Sequence, residues 1–598
     1  MRSSEANACS VCWYCAVLVL CFLLSALEAP AGTAPQPLQE GEQAQIESTL
    51  LGTYGGTLVV GQRAEPKTLN PVTAFDVPSR EVIGCMTADL IHINRYTQKT
   101  VPALAASWTI SSGGQSFQLK LRRGLRFSDG HPFDADDVIF TFKVYLDEKI
   151  HSPQRDLLVV NGKPLSVTKL DAYTVRFDLA APYAAAERIF DSLAILPRHL
   201  LQQTYEQGKF SEAWGLNTAP DSIAGLGPFR LKQYVPGQRI VLERNPYYWK
   251  ADHNKQRLPY LDEIAFLFVG TEDAQVMRFR ARETDIINRF GPDNYELLAS
   301  DQQNRHYHVE DLGPSLEFNF LAFNLNDLPA QKFGSIAREQ AWFRDLKFRQ
   351  AVSFAIDRQA IVKLAYQGHG APLWGNVTPS NKLWVNQSLP HRQRSLDRAR
   401  ELLKSAGFSW NRDGKLIDKQ GKAVELSIIV SSSNAPRLKM ATIISDDLGQ
   451  LGMDIHVVPL EFRAVVDRVF RSHEYEACIL GLGGGDADPN PEMNVWLSNG
   501  ATHIWNLHER QPATPWEAEI DRLMNEQMVT MDYKRRKQIY DRVQQLIAEN
   551  LPLIFLATPD VLVGAKDEIG NFRPGVLEPY ALWNIEELYF RRNAVASQ

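Results

Sequence analysis

LAASWTISSGGQSFQLKLRRGLRFSDGHPFDADDVIFTF, residues 104 to 142, carries in one stretch the punctuation of a mixed α/β fold. Phe117, Leu119 and Leu121 alternate with polar residues, so they share one face of a half-buried strand. Asp129-Gly130 reads as a turn, because Asp bonds backbone two residues on and Gly accepts a positive φ. Asp134 then caps a helix whose first turn holds Asp136 and Asp137, where the helix dipole favours negative charge. Together with His131 these acids invite a metal, but turn plus cap accounts for each of them without one.

The pattern continues outward. Val175, Phe177 and Leu179 alternate in TVRFDLA, and FRLKQYVPGQRIVLERN reads as a hairpin turning at Pro236-Gly237. In FRDLKFRQAVSFAIDRQAIVKLAYQG, Phe348, Val352, Ala355 and Ile356 mark a helical face, with Gly368 as the stop. Ile539, Val543, Leu546 and Ile547 repeat that spacing before Pro552. Strands mixed with helices from the first hundred residues to the last indicate α/β lobes, and 598 residues exceed one core.

Arg2, the apolar run from Val11 to Leu27 and the small residues Ala29-Pro30-Ala31 have the layout of a secretory signal peptide over residues 1–31. The alternative is an uncleaved anchor, since the run lies near the lower limit for a span. Leu20 before Cys21 disfavours lipid attachment there. Residues 32–54 are polar and read as a linker, with the fold beginning at Gly55-Gly56. Beyond the leader only Cys85 and Cys478 remain; they are expected as small buried hydrophobes, with a disulfide as the alternative. A net charge of −6 lacks the basic footprint of a nucleic-acid binder.

GLGGGDADPNPE, residues 481 to 492, is the second conspicuous stretch. No Lys follows its glycines as a phosphate loop requires, and an EF-hand frame meets Pro491 and Leu497 where Gly and Glu belong. Gly-x-Ser-x-Gly and His-Glu-x-x-His are both missing from the chain, and Asp486 with Asp488 in so Gly/Pro-rich a loop read better as turn formers than as an acid/base pair. Trp374, Trp496 and Trp505 lie near clustered glycines; core packing is their default, and a ligand cleft is the alternative.

Taken in order, the opening stretch, EPKTLNP (65–71), GLGPFRL with ERNPYYW (225–249), KFRQAVSFAIDR (347–358), DADP (486–489) and LPLIFL (551–556) resemble the family 5 extracellular solute-binding proteins, the periplasmic peptide-binding components of ABC importers. The resemblance implies an α/β, periplasmic-binding-protein-like two-lobe fold (type II, class C) with an extra N-terminal α/β subdomain. It implies lobe I from 55–84, 195–315 and 556–592, the subdomain from 85–194 and lobe II from 316–555. It implies a monomer, held in the periplasm or tethered at the outer face of the inner membrane, that traps a peptide or peptide-like solute and docks on ABC permease subunits, with no cofactor and no catalysis.

Ligand favours closure only by touching both lobes, so the site should draw on distant sequence. By resemblance these are Arg63 and Glu65 from an early strand and Leu482, Gly484, Gly485, Asp486 and Asp488 from the second lobe, with Trp374 and Trp496 as the aromatic candidates. The sequence departs from the family at one point. Peptide binders place an ammonium-binding Asp just upstream of Asp-Pro and a Trp earlier in the loop; here those positions are Gly485 and Leu482. A buried ammonium without a carboxylate costs several kcal/mol. Either Asp486 or Asp488 supplies that charge, or the ligand is a different solute, such as an oligosaccharide, a metal chelate or haem; an exported hydrolase is the more distant alternative.

Overall fold

The computed structural model describes residues 35–47, 50–191, 193–483, 487–507 and 509–591. The signal-peptide reading of residues 1–31 lies outside them. The opening stretch forms two strands of a four-stranded antiparallel sheet, ordered Ala105–Ile110, Ser116–Leu121, Thr174–Asp178, Ser166–Asp171. Phe117 pairs with Phe177 and Leu119 with Val175, so both alternating runs bury the same face. Full burial of each such side chain is worth about 1.5–3 kcal/mol. The helix Ala135–Leu146 covers it, with the Phe142 and Phe177 rings 4.8 Å apart. Asp134 accepts from the Asp136 N–H at 2.8 Å, and Asp137 returns the bond to the Asp134 N–H at 3.1 Å, a closed capping box. Asp129 takes the His131 N–H and the His199 imidazole, and Asp136 takes Lys169. Each acid of the run thus has a partner within the fold.

Two larger sheets carry the rest. The first runs Phe229–Val235, Arg239–Arg244, Glu263–Phe268, Thr57–Gln62, Ile286–Phe290, Ala557–Lys566, Tyr307–Pro314, and begins with the expected hairpin, its turn at Gly237 (φ +67°). The second runs Asp454–Leu460, Glu425–Ser431, Ala477–Leu482, Phe318–Phe323, Leu553–Phe555. They hold separate hydrophobic cores, the first shared with the four-stranded subdomain. Segments 314–318 and 555–557 each leave one sheet and enter the other. Between them the Leu556 N–H donates to the Asn319 carbonyl at 2.9 Å and the Ser315 N–H to the Pro559 carbonyl at 2.8 Å.

Two stretches differ from expectation. The helical run from Leu346 is two helices, Leu346–Ala355 and Arg358–Ala365, with Ile356 outside both. Asp357 breaks it by capping the second helix through the Ala360 N–H at 2.9 Å. The break lets the buried Arg358 guanidinium reach the Leu373, Phe555 and Ser353 carbonyls at 2.8–2.9 Å. The stretch read as a linker is docked: Gln45–Ile46 adds a parallel strand to Lys250–Ala251, and Glu42 pairs with buried Arg257 through two bonds of 2.8 Å. Cys85 and Cys478 are free and buried. Among the described residues no helix is long and apolar enough to cross a membrane.

Candidate ligand cleft

A cleft of about 950 Å³ opens where the sheets and the subdomain meet. Its wall draws on the helix Val77–Met86, the subdomain, the crossing segment Ser315–Glu317, Gly483 just after the strand Ala477–Leu482 and the C-terminal stretch that includes Tyr580. Asp76 caps that helix, accepting from the Ser79 N–H at 3.0 Å, and its apolar face of Val82, Ile83, Cys85 and Met86 packs into the core. This seating places Arg80 and Glu81 on the cleft.

Most charges on the wall are paired. Lys250 meets Glu586 at 2.7 Å, Arg95 meets Asp191 at 2.9 Å and Arg80 meets Glu578 at 3.6 Å. Glu81 differs. Its two oxygens accept from the neutral amides of Gln62 and Asn288, each at 2.9 Å, and among the described residues it forms no ion pair. Burial pushes its carboxyl above the usual range, against the two amide bonds that pull it down; Glu578 adds to the rise and Arg80 offsets part of it. A carboxylate so held is a ready counter-charge for a cation entering the cleft.

A relay crosses from one sheet to the other at the back of the cleft. The Arg289 guanidinium donates to the Tyr580 hydroxyl at 3.0 Å and lies 3.7 Å from Glu317. Glu317 also accepts from Arg437 at 3.1 Å, and Arg437 reaches the Asn319 side-chain oxygen at 2.8 Å. A Cβ at Gly481 would lie 2.2 Å from the Arg437 guanidinium and 2.6 Å from that oxygen. The first glycine of GLGGGDADPNPE therefore makes room for Arg437.

The expected site residues fall in several places. Arg63 is half-exposed and pairs with Glu272, off the cleft wall. Glu65 accepts from the Tyr234 hydroxyl and, at 2.9 Å, from the Gly237 N–H, which hold its carboxyl below the usual range. Trp374 stacks on His391 at 4.2 Å and donates to the Arg392 carbonyl. Leu482 ends its strand opposite Phe318, next to the cleft residue Gly483. Gly484, Gly485 and Asp486 lie outside the described residues. Asp488 is buried, clamped by both terminal nitrogens of Arg536 at 2.7 Å. Trp496 is 1% exposed and donates to Glu492 at 2.7 Å; Trp505, equally buried, donates to Glu517 at 3.0 Å.

Glu81, Arg289, Glu317 and Tyr580 were not among the sequence candidates. Only Glu81 left a local sign, a lone acid directly before the core residues Val82 and Ile83.

The chain is 29% identical over 539 residues to a probable ABC transporter-binding protein of Deinococcus radiodurans, covering 86% of this chain and 89% of that one. It is 25% identical over 528 residues to the oligopeptide-binding protein AppA of Bacillus subtilis, with 87% and 89% covered. Its fold matches NikA of Brucella suis, solved in complex with Fe(III)-EDTA, with a TM-score of 0.74 at 21% identity over 90% of this chain and 100% of that one. This is the α/β periplasmic-binding-protein fold with an extra N-terminal subdomain. Residues 99–503 match the model of the middle region of the bacterial extracellular solute-binding proteins, family 5, and the chain belongs to that family.

Proposed function

We propose that this protein is the extracytoplasmic binding component of an ABC importer that closes around a peptide or peptide-like solute bearing an amine. The observation that carries the reading is Glu81, a carboxylate on the cleft wall held by two amides and, among the described residues, in no ion pair. Glu81 receives the ligand ammonium from the first lobe. From the second lobe Gly483 stands on the wall, the family resemblance offers Asp486 as a second counter-charge candidate, and Asp488 serves the fold through Arg536. The lobes are the sequence-derived ones, 55–84 with 195–315 and 556–592 against 316–555, and the crossing segments act as their hinge. The protein works as a monomer outside the cytoplasmic membrane, hands its ligand to permease subunits unchanged and binds no nucleic acid.

A peptide library screened by thermal shift tests this. A ligand near 100 times its dissociation constant should add about 2.7 kcal/mol of stability, and N-acetylation of the best peptide should remove most of it. No shift with any peptide would overturn the peptide part. A second reading, a metal chelate, rests on His92, which lines the same cleft with Nδ1 2.9 Å from Asp89 and 3.4 Å from Asp191. The same screen with chelated divalent metals separates the two.

A further inference from the structure

Away from the cleft, the loop after Trp496 and the first turn of the helix Pro515–Val529 bring three side chains together in the second lobe. One ligand atom each of His503, Glu509 and Glu517 lies within 4.8 Å of the other two. His503 is fully buried. Its Nδ1 lies 3.0 Å from the Val495 carbonyl, which can only accept, so Nδ1 carries a proton.

That assignment leaves Nε2 without a satisfactory state. Among the described residues it has no hydrogen-bond partner, and it faces Glu517 at 3.8 Å. As an acceptor it would turn a lone pair toward a carboxylate; as a donor it would stand beyond hydrogen-bond reach. The two carboxylates, for their part, share a site with no other cation within ion-pair reach among the described residues.

We propose that His503, Glu509 and Glu517 bind a divalent cation of the zinc type. The ion would take the Nε2 lone pair and balance the two carboxylates, whose joint charge it matches. The surroundings have the form that supports a metal ligand: Nδ1–H bonds a backbone carbonyl, and Glu517 is oriented by Trp505 Nε1 at 3.0 Å and the Thr514 hydroxyl at 2.7 Å. Glu509 is half-buried and leaves a path to solvent. One imidazole with two carboxylates suits zinc, whereas calcium and magnesium prefer oxygen alone. The ion would tie the loop to the helix and act on lobe stability, separately from the solute site.

The test uses the purified protein stripped with EDTA. Zinc titrated by calorimetry should bind one ion per chain, and cobalt in its place should give visible absorption bands. Glu509→Gln, at a half-buried position, should keep the native circular dichroism, weaken zinc at least tenfold and abolish the cobalt bands; His503→Gln should do the same if it folds. Calcium and magnesium should not compete. Absence of zinc binding at a hundredfold excess would overturn the proposal. So would unchanged affinity in Glu509→Gln, which would place the bound zinc elsewhere, for instance at His92 in the cleft.

Discussion

Asp488 and Glu81 are both carboxylates, and they are held in opposite ways. Asp488 is gripped by Arg536 through two bonds of 2.7 Å, while Glu81 is cradled by two neutral amides. An acid with its own buried arginine is committed to the fold; an acid with amides alone keeps its charge available to a visitor. Asp488→Ala would leave Arg536 buried with no ion-pair partner among the described residues, facing the neutral Asn490, Gln527 and Trp384 ring. We expect a loss of about 3–5 kcal/mol, read as a lower urea midpoint of the purified protein. Ligand affinity of the folded fraction should stay within twofold. A collapse of affinity with stability unchanged would reverse the roles assigned to the two acids.

Glu81→Gln sharpens the same contrast from the other side. Affinity for an amine-bearing ligand should fall by about 2–4 kcal/mol, as when one partner of a buried charge pair is removed, while unliganded stability should fall by about 1–3 kcal/mol, because a carboxamide offers one acceptor oxygen to two amide donors. Calorimetry beside urea unfolding reads both. The pH dependence follows with its sign. Because Glu81 sits above the ordinary glutamate value, the folded protein binds more protons than the unfolded chain between the two values. Unliganded stability therefore declines as pH rises through that window, and Glu81→Gln should flatten the decline. An ammonium ligand requires the charged form, so its affinity should weaken as pH falls through the raised value. A pH-independent affinity would remove Glu81 from the site.

How far these roles were legible in the sequence depends on how local their causes are. Phe117, Leu119 and the capping box of Asp134 with Asp137 are settled within a few residues, and their pattern is on the surface of the sequence. Asp357 was harder, because the apolar spacing ran straight through it; only the distant acceptors of Arg358 show why the helix stops. The stretch 32–54 looked like a linker because its anchor, Arg257, lies 215 residues from Glu42. The cleft was least legible. Glu81 is an ordinary helical glutamate until Gln62 and Asn288 arrive from two other strands, and the conspicuous Trp496 and Trp505 are packed inside, each donating to a buried glutamate.

Gly481 brings the comparison down to its smallest effect. A glycine leaves the space of a side chain open, and at Gly481 that space is filled by the Arg437 guanidinium, part of the relay joining Arg289 to Asn319 through Glu317. Gly481→Ala should displace Arg437 at about 1–2 kcal/mol, within the usual range for overpacking. Since the relay spans both sheets, small-angle scattering of the unliganded variant should also show a larger radius of gyration. A double-mutant cycle with Arg437→Ala tests the cause: if Arg437 is what the glycine accommodates, Gly481→Ala should cost far less once Arg437 is gone. If the two costs simply add, the glycine is kept for the backbone or the ligand, and the relay owes nothing to it.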